Sequence, residues 1–310
     1  MTRVLITCPY LQQTIDGYRP LFADCGIEVA LPPVEQRMTA PRLMDLIDGF
    51  DGIIAGDDEL TAAVLERADR LRVISKWGVG IDSIDLAAAA RRGIQIFHTP
   101  GVFADEVADV AMGYLILLAR RLHTIDRLVR AGEWAKIRGV SLAGKTLGII
   151  GVGSIGQALA RRAAAAGMLL LGTDIVTPST DVLAATGLRL VALGELLRTA
   201  DFISLNCVLT PATCGILGRA QFAMLKPGAY VVNTSRGALI DEEALVQALR
   251  DGWVAGAALD VFEEEPLPLD SPLRSFENCV LGSHNSSNTY EAVLRTNDLA
   301  ISNLLKGLGR

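Results

Sequence analysis

The chain has 310 residues and a formal net charge of −6, with no long run of Lys or Arg. That balance excludes nucleic acid and anionic membranes as principal partners, while leaving room for a local basic pocket. Half of the residues are hydrophobic but only 5% are aromatic, so the core is built from Ala, Val, Leu and Ile, as in layered strands and helices.

The N-terminus, MTRVLITCPY, lacks the apolar stretch and cleavage site of a signal peptide. No apolar run reaches the length of a membrane span; the longest, around Met112–Ala119, is closed by Arg120 and Arg121. Five scattered cysteines show no paired metal spacing and read as reduced, mostly buried thiols. A cytoplasmic protein without membrane attachment or a metal is expected.

Along the chain, VLITC near Val4, IEVAL at Ile27, GIIAG at Ile53, LRVIS at Leu71 and GIQIF at Ile94 read as buried strands. Helical patterns lie between them, as at Thr61–Ala68 and Ser83–Arg92. Near-continuous apolar strands separated by helices imply a parallel sheet covered on both faces. Thr99-Pro100-Gly101 punctuates the pattern and marks a boundary. Phe103–Arg130 then reads as one long helix, with Ala108, Ala111, Met112, Leu115 and Leu118 at helical spacing. It is either a core helix or one that bridges domains or subunits. The strand rhythm restarts at Thr146 with TLGIIG, MLLLGT, DFISLN, AYVVNT and VAGAALDV. Thr289–Leu308 is again helical and is placed to cross back to the first domain.

GVGSIG at Gly151–Gly156 follows the strand TLGII and opens a helix, Ile155–Ala166, rich in small residues. In that context each glycine has a reason: Gly151 for the tight turn, Gly153 for backbone approach to a pyrophosphate, Gly156 for close helix–strand packing. The helix N-terminus supplies amides and partial positive charge for phosphates. The next strand ends at Asp174, where a carboxylate accepts hydrogen bonds from ribose hydroxyls and repels a 2′-phosphate. Ile175, Val176 and Thr177 bring no Arg to neutralise one, so NAD is favoured over NADP. The plain alternative is a strand–helix turn without ligand.

Hydride transfer to a 2-oxo acid further needs a cation for the carboxylate and keto oxygen, a proton donor, and a group that tunes the donor. The chain has three histidines. His123 lies among Arg120, Arg121 and Arg127 and reads as a surface residue; His98 sits at the boundary strand and reads as structural. His284 lies in the polar loop GSHNSSNT, where Ser286, Ser287 and Asn288 suffice for helix capping and leave the histidine available as acid/base. Arg236, in NTSRGALID, directly follows the strand AYVVN, where parallel sheets place reactive groups; a structural ion pair is its other reading. Asp260 ends GAALD and reads equally as a turn former. Of Glu263, Glu264 and Glu265, spacing does not say which faces inward.

KWGVGIDSID, GKTLGIIGVGSIG, MLKPGAYVVNTSRGALIDEEAL, GAALDVFEEEPL and the His of GSHNSSNT together resemble the D-isomer-specific 2-hydroxyacid dehydrogenases over nearly the whole chain. The resemblance implies two doubly wound parallel-sheet domains with a cleft between them. One is a flavodoxin-like substrate domain of residues 1–99 and 286–310, the other a Rossmann-type NAD domain of residues 100–285. It implies a homodimer joined through the NAD domains. It makes Arg236 the ligand of the substrate carboxylate and carbonyl, His284 the acid/base and Glu265 its partner, raising the imidazole pKa. Amides around Val79 and Gly80 would hold the substrate, with Lys76 as a further cation. NAD contacts fall on Gly151, Gly153, Ser154, Ile155, Gly156, Asp174, Asn206, Cys207, Val208, Thr213, Thr234, Ser235, Asp260 and His284, with Asp260 on the nicotinamide carboxamide.

The chain departs from this pattern in three places. Asn206-Cys207-Val208 stands where the family often has His-x-Pro, Phe103 where phosphoglycerate dehydrogenases tend to have Asn, and Asn285-Ser286-Ser287-Asn288 where small residues and Gly are usual. Lys76 stands where phosphoglycerate dehydrogenases often have Arg and leans towards a phosphorylated substrate; as a bare strand-end residue it is a surface lysine. The leading expectation is 3-phosphoglycerate and phosphohydroxypyruvate. The alternatives are a glyoxylate/hydroxypyruvate reductase, a phosphite dehydrogenase, a formate dehydrogenase (which Glu265 counts against), or an NAD(H)-sensing corepressor-like binding protein.

Overall fold

The first five apolar runs form β1 (Thr2–Ile6), β2 (Ile27–Ala30), β3 (Gly52–Ala55), β4 (Val73–Lys76) and β5 (Gln95–Phe97) in the computed structural model, which describes residues 1–310. All pair in parallel, in the order β2-β1-β3-β4-β5. Every residue of β3 and β4 is buried, which is why their sequences run apolar without alternation. The intervening helices are shorter than their patterns, Ala62–Arg67 and Leu86–Arg91, because Thr61 and Asp85 are N-caps and lie outside them.

The helix Tyr290–Gly307 packs on this same sheet. Ser75 Oγ donates to the Ala300 carbonyl at 2.7 Å, and Trp77 Nε1 donates to Asn297 Oδ1 at 2.7 Å. A Cβ at Gly52 would lie 2.8 Å from Leu304 Cδ1, so that strand position must be glycine for the helix to approach. Ala300, Ile301 and Leu304 are buried against the sheet, each large apolar side chain contributing about 1.5–3 kcal/mol.

The second sheet has seven parallel strands: β6 (Thr146–Ile150), β7 (Leu169–Thr173), β8 (Arg189–Leu190), β9 (Phe202–Leu205), β10 (Ala229–Asn233), β11 (Val254–Leu259) and β12 (Cys279–Leu281). Their order is β12-β11-β10-β9-β6-β7-β8, so the winding direction reverses between β6 and β9. Such a switch point opens a crevice at the carboxyl ends of the strands. One face is packed by Leu196, Phe222, Leu245 and Leu249, the other by Leu115, Leu118, Leu159 and Ala163.

The stretch expected as one long helix is two, Ala104–Arg120 and Leu122–Arg130. Arg121 between them takes φ 52°, the left-handed conformation that ends helices, and its N–H returns to the Leu118 carbonyl. His123 in the second helix is half-buried rather than on the surface. Its Nε2 lies 3.1 Å from the Glu277 carbonyl, and its buried Nδ1 has no partner.

The chain divides into two units, Met1–Val102 with Thr289–Arg310, and Phe103–Asn288. Each division falls three residues beyond the expected one. Both lie where a helix begins: Phe103 and Thr289 are the N-caps of Ala104–Arg120 and Tyr290–Gly307. No helix is long and apolar enough to cross a membrane.

Candidate active site

In the second unit β6 ends in Gly151, which takes φ 93° and turns the chain into the helix Ser154–Ala165. A Cβ on Gly151 would overlap the Asn206–Cys207 backbone at the end of β9, and one on Gly156 would overlap the Gly151 carbonyl. Gly153 is different: it is exposed, and a Cβ there would meet nothing within 4 Å. Two of the three glycines therefore serve the fold, and the third keeps space open over the helix N-terminus. No side chain caps that terminus, so its first amides remain directed outwards for an anion.

Asp174, just past β7, accepts the Val152 N–H at 2.5 Å and the Val176 N–H at 2.9 Å. These bonds fix an exposed carboxylate beside the glycine turn. Across the switch point, Asn206 Oδ1 and Thr234 Oγ1 are buried polar atoms without a partner. Buried polar groups are nearly always satisfied, so a ligand reaching the ends of β9 and β10 would complete both. Ser235 is tied down, its Oγ donating to the Leu205 carbonyl at 2.9 Å. Thr213 Oγ1 bonds within its own loop, donating to the Val208 carbonyl at 2.7 Å. The glycine cradle, the uncapped helix and the two orphaned atoms fit a dinucleotide.

Arg236 follows β10 by two residues and precedes the turn Gly237–Leu239. A Cβ on Gly237 would overlap the Phe262–Glu263 backbone, so this glycine seats the Arg236 turn against the segment leaving β11. That segment carries the three glutamates. Glu263 and Glu242 accept each other's backbone N–H groups at 3.1 and 2.6 Å, tying it to the start of the helix Glu242–Arg250. Glu265 Oε1 accepts the Phe262 N–H at 3.0 Å, and Glu265 Oε2 lies 2.8 Å from His284 Nδ1. Glu265 is thus the carboxylate of the run that reaches the histidine.

Asp260 is 2% exposed. Its carboxylate accepts the Asn285 N–H at 3.2 Å, the Ser286 N–H at 2.8 Å, the Ser286 hydroxyl, and the Tyr114 hydroxyl at 3.5 Å. Burial, reinforced by the Asp260 charge, pushes the Tyr114 phenol up, so it stays a donor. A carboxylate has about four acceptor positions, all occupied here. Asp260 thereby anchors the loop that carries His284. The cap of the final helix is also corrected: Thr289 accepts the Ala292 N–H at 3.1 Å, whereas Ser286 faces Asp260.

In the first unit, Gly78 takes φ 136°, with its N–H on Thr99 Oγ1 at 2.9 Å and its carbonyl accepting the Thr99 N–H at 3.0 Å. This pins the turn before Val79 and Gly80, whose own amides bond to no protein acceptor. The Val79 carbonyl lies 2.9 Å from His98 Nδ1, giving His98 the structural part expected of it. Lys76 is not a surface lysine. It is 2% exposed, its Nζ paired with Asp57 at 3.1 Å and donating to the Trp77 carbonyl at 3.1 Å. A second carboxylate, Asp58, is wholly buried close by and is pushed up by that burial, with the Lys76 charge opposing the rise. The pairing depends on the loop after β3, which local spacing around Lys76 does not register.

A dinucleotide cradle and a histidine–carboxylate pair at the carboxyl ends of one parallel sheet define the nicotinamide-dependent oxidoreductases as a class. Residues 112–286 match the model of the D-isomer specific 2-hydroxyacid dehydrogenase NAD-binding domain. The chain is 40% identical over 254 residues to a glyoxylate reductase of Thermofilum pendens, covering 80% of this chain and 75% of that protein. It is 38% identical over 296 residues to a D-3-phosphoglycerate dehydrogenase of Methanocaldococcus jannaschii, covering 94% of this chain but 55% of that protein. Among solved structures, a glyoxylate reductase from Paecilomyes thermophila aligns with TM-score 0.87 and 30% identity, covering 100% of this chain and 96% of the other. The chain belongs to the D-isomer-specific 2-hydroxyacid dehydrogenase family, and it is an NAD-dependent enzyme of that type.

Proposed function

We propose that the chain reduces small 2-oxo acids to D-2-hydroxy acids with NADH, glyoxylate and hydroxypyruvate being its substrates. The observation that carries the reading is the 2.8 Å pairing of His284 with Glu265. Bound NADH supplies the hydride. The Arg236 guanidinium fixes the substrate carboxylate and polarises the keto oxygen. His284 Nε2 donates the proton to the forming alkoxide, and Glu265 stabilises the imidazolium. Oxidation reverses these steps.

Names of relatives and the pairing of Lys76 both favour substrates without phosphate. With Asp57 at 3.1 Å, the Lys76 charge is already balanced and offers little to a phosphoryl group. Phosphohydroxypyruvate is the second reading, supported by the Methanocaldococcus relative. A cytoplasmic setting belongs to the same reading, in keeping with five free thiols. So does a homodimer through the second unit: Trp134 there is 83% exposed, and Leu122 and Val129 are exposed on the adjoining helix, an apolar surface suited to a subunit contact.

Steady-state assays with NADH and glyoxylate, hydroxypyruvate or phosphohydroxypyruvate, and with NAD and phosphite, separate the readings. His284→Ala is expected to lower turnover roughly 100- to 10,000-fold while leaving NADH affinity largely intact. No turnover of any 2-oxo acid by a protein that binds NADH tightly would sink the enzyme reading in favour of a sensing role. Loss of NADH binding in His284→Ala would make the loop structural.

A further inference from the structure

His284 takes φ 54°, one of two non-glycine residues in the chain with positive φ. Such a conformation is unfavourable for a residue with a Cβ and persists only where the surroundings over-determine it. Here they do so through Asp260. The His284 N–H donates to the Asp260 carbonyl at 2.7 Å, and the next two amides, of Asn285 and Ser286, donate to its two carboxylate oxygens at 3.2 and 2.8 Å. The Ser286 hydroxyl adds a second, short bond to Oδ2, and Ser286 is itself 5% exposed. Three successive residues starting at His284 are thus fastened to one buried residue, and the only side-chain donor among them is Ser286. A Cβ on Gly282 would overlap Asp260 Oδ1 and the Tyr114 hydroxyl, so the loop also enters this cluster at its closest approach.

We propose that Ser286 is a positioning residue for the acid/base: its hydroxyl holds the Asp260 carboxylate in the rotamer that locks the His284 backbone, and so keeps Nδ1 on Glu265 and the ring in the orientation that transfers the proton from Nε2. The inference rests on His284 being the acid/base, as proposed above. Ser286 touches no reacting atom in this scheme; it acts through Asp260. Without the hydroxyl, Asp260 Oδ2 keeps a single donor, a buried carboxylate becomes under-satisfied, and the left-handed turn at His284 loses part of what holds it. His284 then samples orientations in which Nε2 does not face the substrate. Misplacement of a reacting group by about 1 Å costs on the order of a hundredfold in rate.

The test uses the full chain with NADH bound, comparing wild type, Ser286→Ala and Ser286→Thr, the last of which retains a hydroxyl. The first readout is the NMR spectrum of protein labelled at histidine, where three residues are to be distinguished and His284→Ala assigns the signal. Ser286→Ala is expected to shift and broaden the His284 ring resonance, and Ser286→Thr to restore it. The second readout is kinetic. The kcat for the best 2-oxo acid is expected to fall about tenfold to a hundredfold in Ser286→Ala, with the KM for NADH within twofold of wild type and recovery in Ser286→Thr. A purely structural role would lower the melting temperature and leave both the spectrum and the kcat of the folded protein alone. An unchanged His284 resonance in Ser286→Ala overturns the proposal, as does an unchanged kcat where the wild type is active. Should the wild type reduce no 2-oxo acid, the functional reading fails, and the spectrum alone decides the role of Ser286.

Discussion

Burial separates the thiols of this chain into two kinds. It pushes Cys8 up to about 12, and Cys207 and Cys279 up to about 11, with the Asp174 charge adding to the rise at Cys207. Cys214 is exposed. Thiolate is the reactive form, so a maleimide near neutral pH is expected to label Cys214 first and Cys207 slowly, despite the place of Cys207 beside the glycine turn. Mass spectrometry of the labelled peptides checks this, and fast modification of Cys207 would contradict a packed thiol there. The same dependence on environment limits what a sequence tells about single residues. Arg236 and His284 stood out in the sequence because each follows a strand, a position with chemical meaning. Only the family resemblance chose Glu265 from three neighbouring glutamates, since adjacent loop residues share the same spacing. The surface reading of Lys76 failed because its partner Asp57 comes from the loop after another strand. The anchoring of the His284 loop by Asp260 left no local pattern either, because its donors come from Tyr114, Asn285 and Ser286, none of them adjacent to it in sequence.

Strands were the most legible elements, since buried parallel strands write themselves as continuous apolar runs. The two-residue β8 was too short to leave a pattern, and the break at Arg121 carries no Gly or Pro to announce it. The glycine turn was legible as a motif, but the separate duties of its glycines emerge only from packing. Gly156→Ala forces a Cβ into the Gly151 carbonyl and is expected to cost about 2–3 kcal/mol or more. Gly153→Ala meets open space and is expected to cost about 1 kcal/mol or less as a helix N-cap change. It nonetheless fills the room kept for the pyrophosphate, and NADH affinity should drop about tenfold or more. Thermal melts alongside fluorescence titration with NADH read both effects. A Gly153→Ala protein that binds NADH like the wild type would mean that the cofactor does not approach there.

On the scale of the molecule, the restart of the strand rhythm at Thr146 made two α/β units visible in the sequence, and helix N-caps moved their limits by three residues. The proposed homodimer would give a particle of about twice 33.0 kDa by light scattering. Trp134→Glu is expected to shift it towards the single-chain mass without loss of helical signal, and a wild type already at the single-chain mass would refute the pairing. The helix Tyr290–Gly307 has a consequence for how the protein is made. It covers β3, β4 and β5, yet it is synthesised only after the whole of the second unit. At roughly 5–20 residues per second, the intervening unit takes on the order of 10–40 s to translate. During that interval the first sheet waits with one apolar face uncovered, while the uninterrupted second unit has all it needs to fold. The first unit is therefore completed only after the second has been made, and until then its half-covered sheet is the aggregation-prone part of the nascent protein.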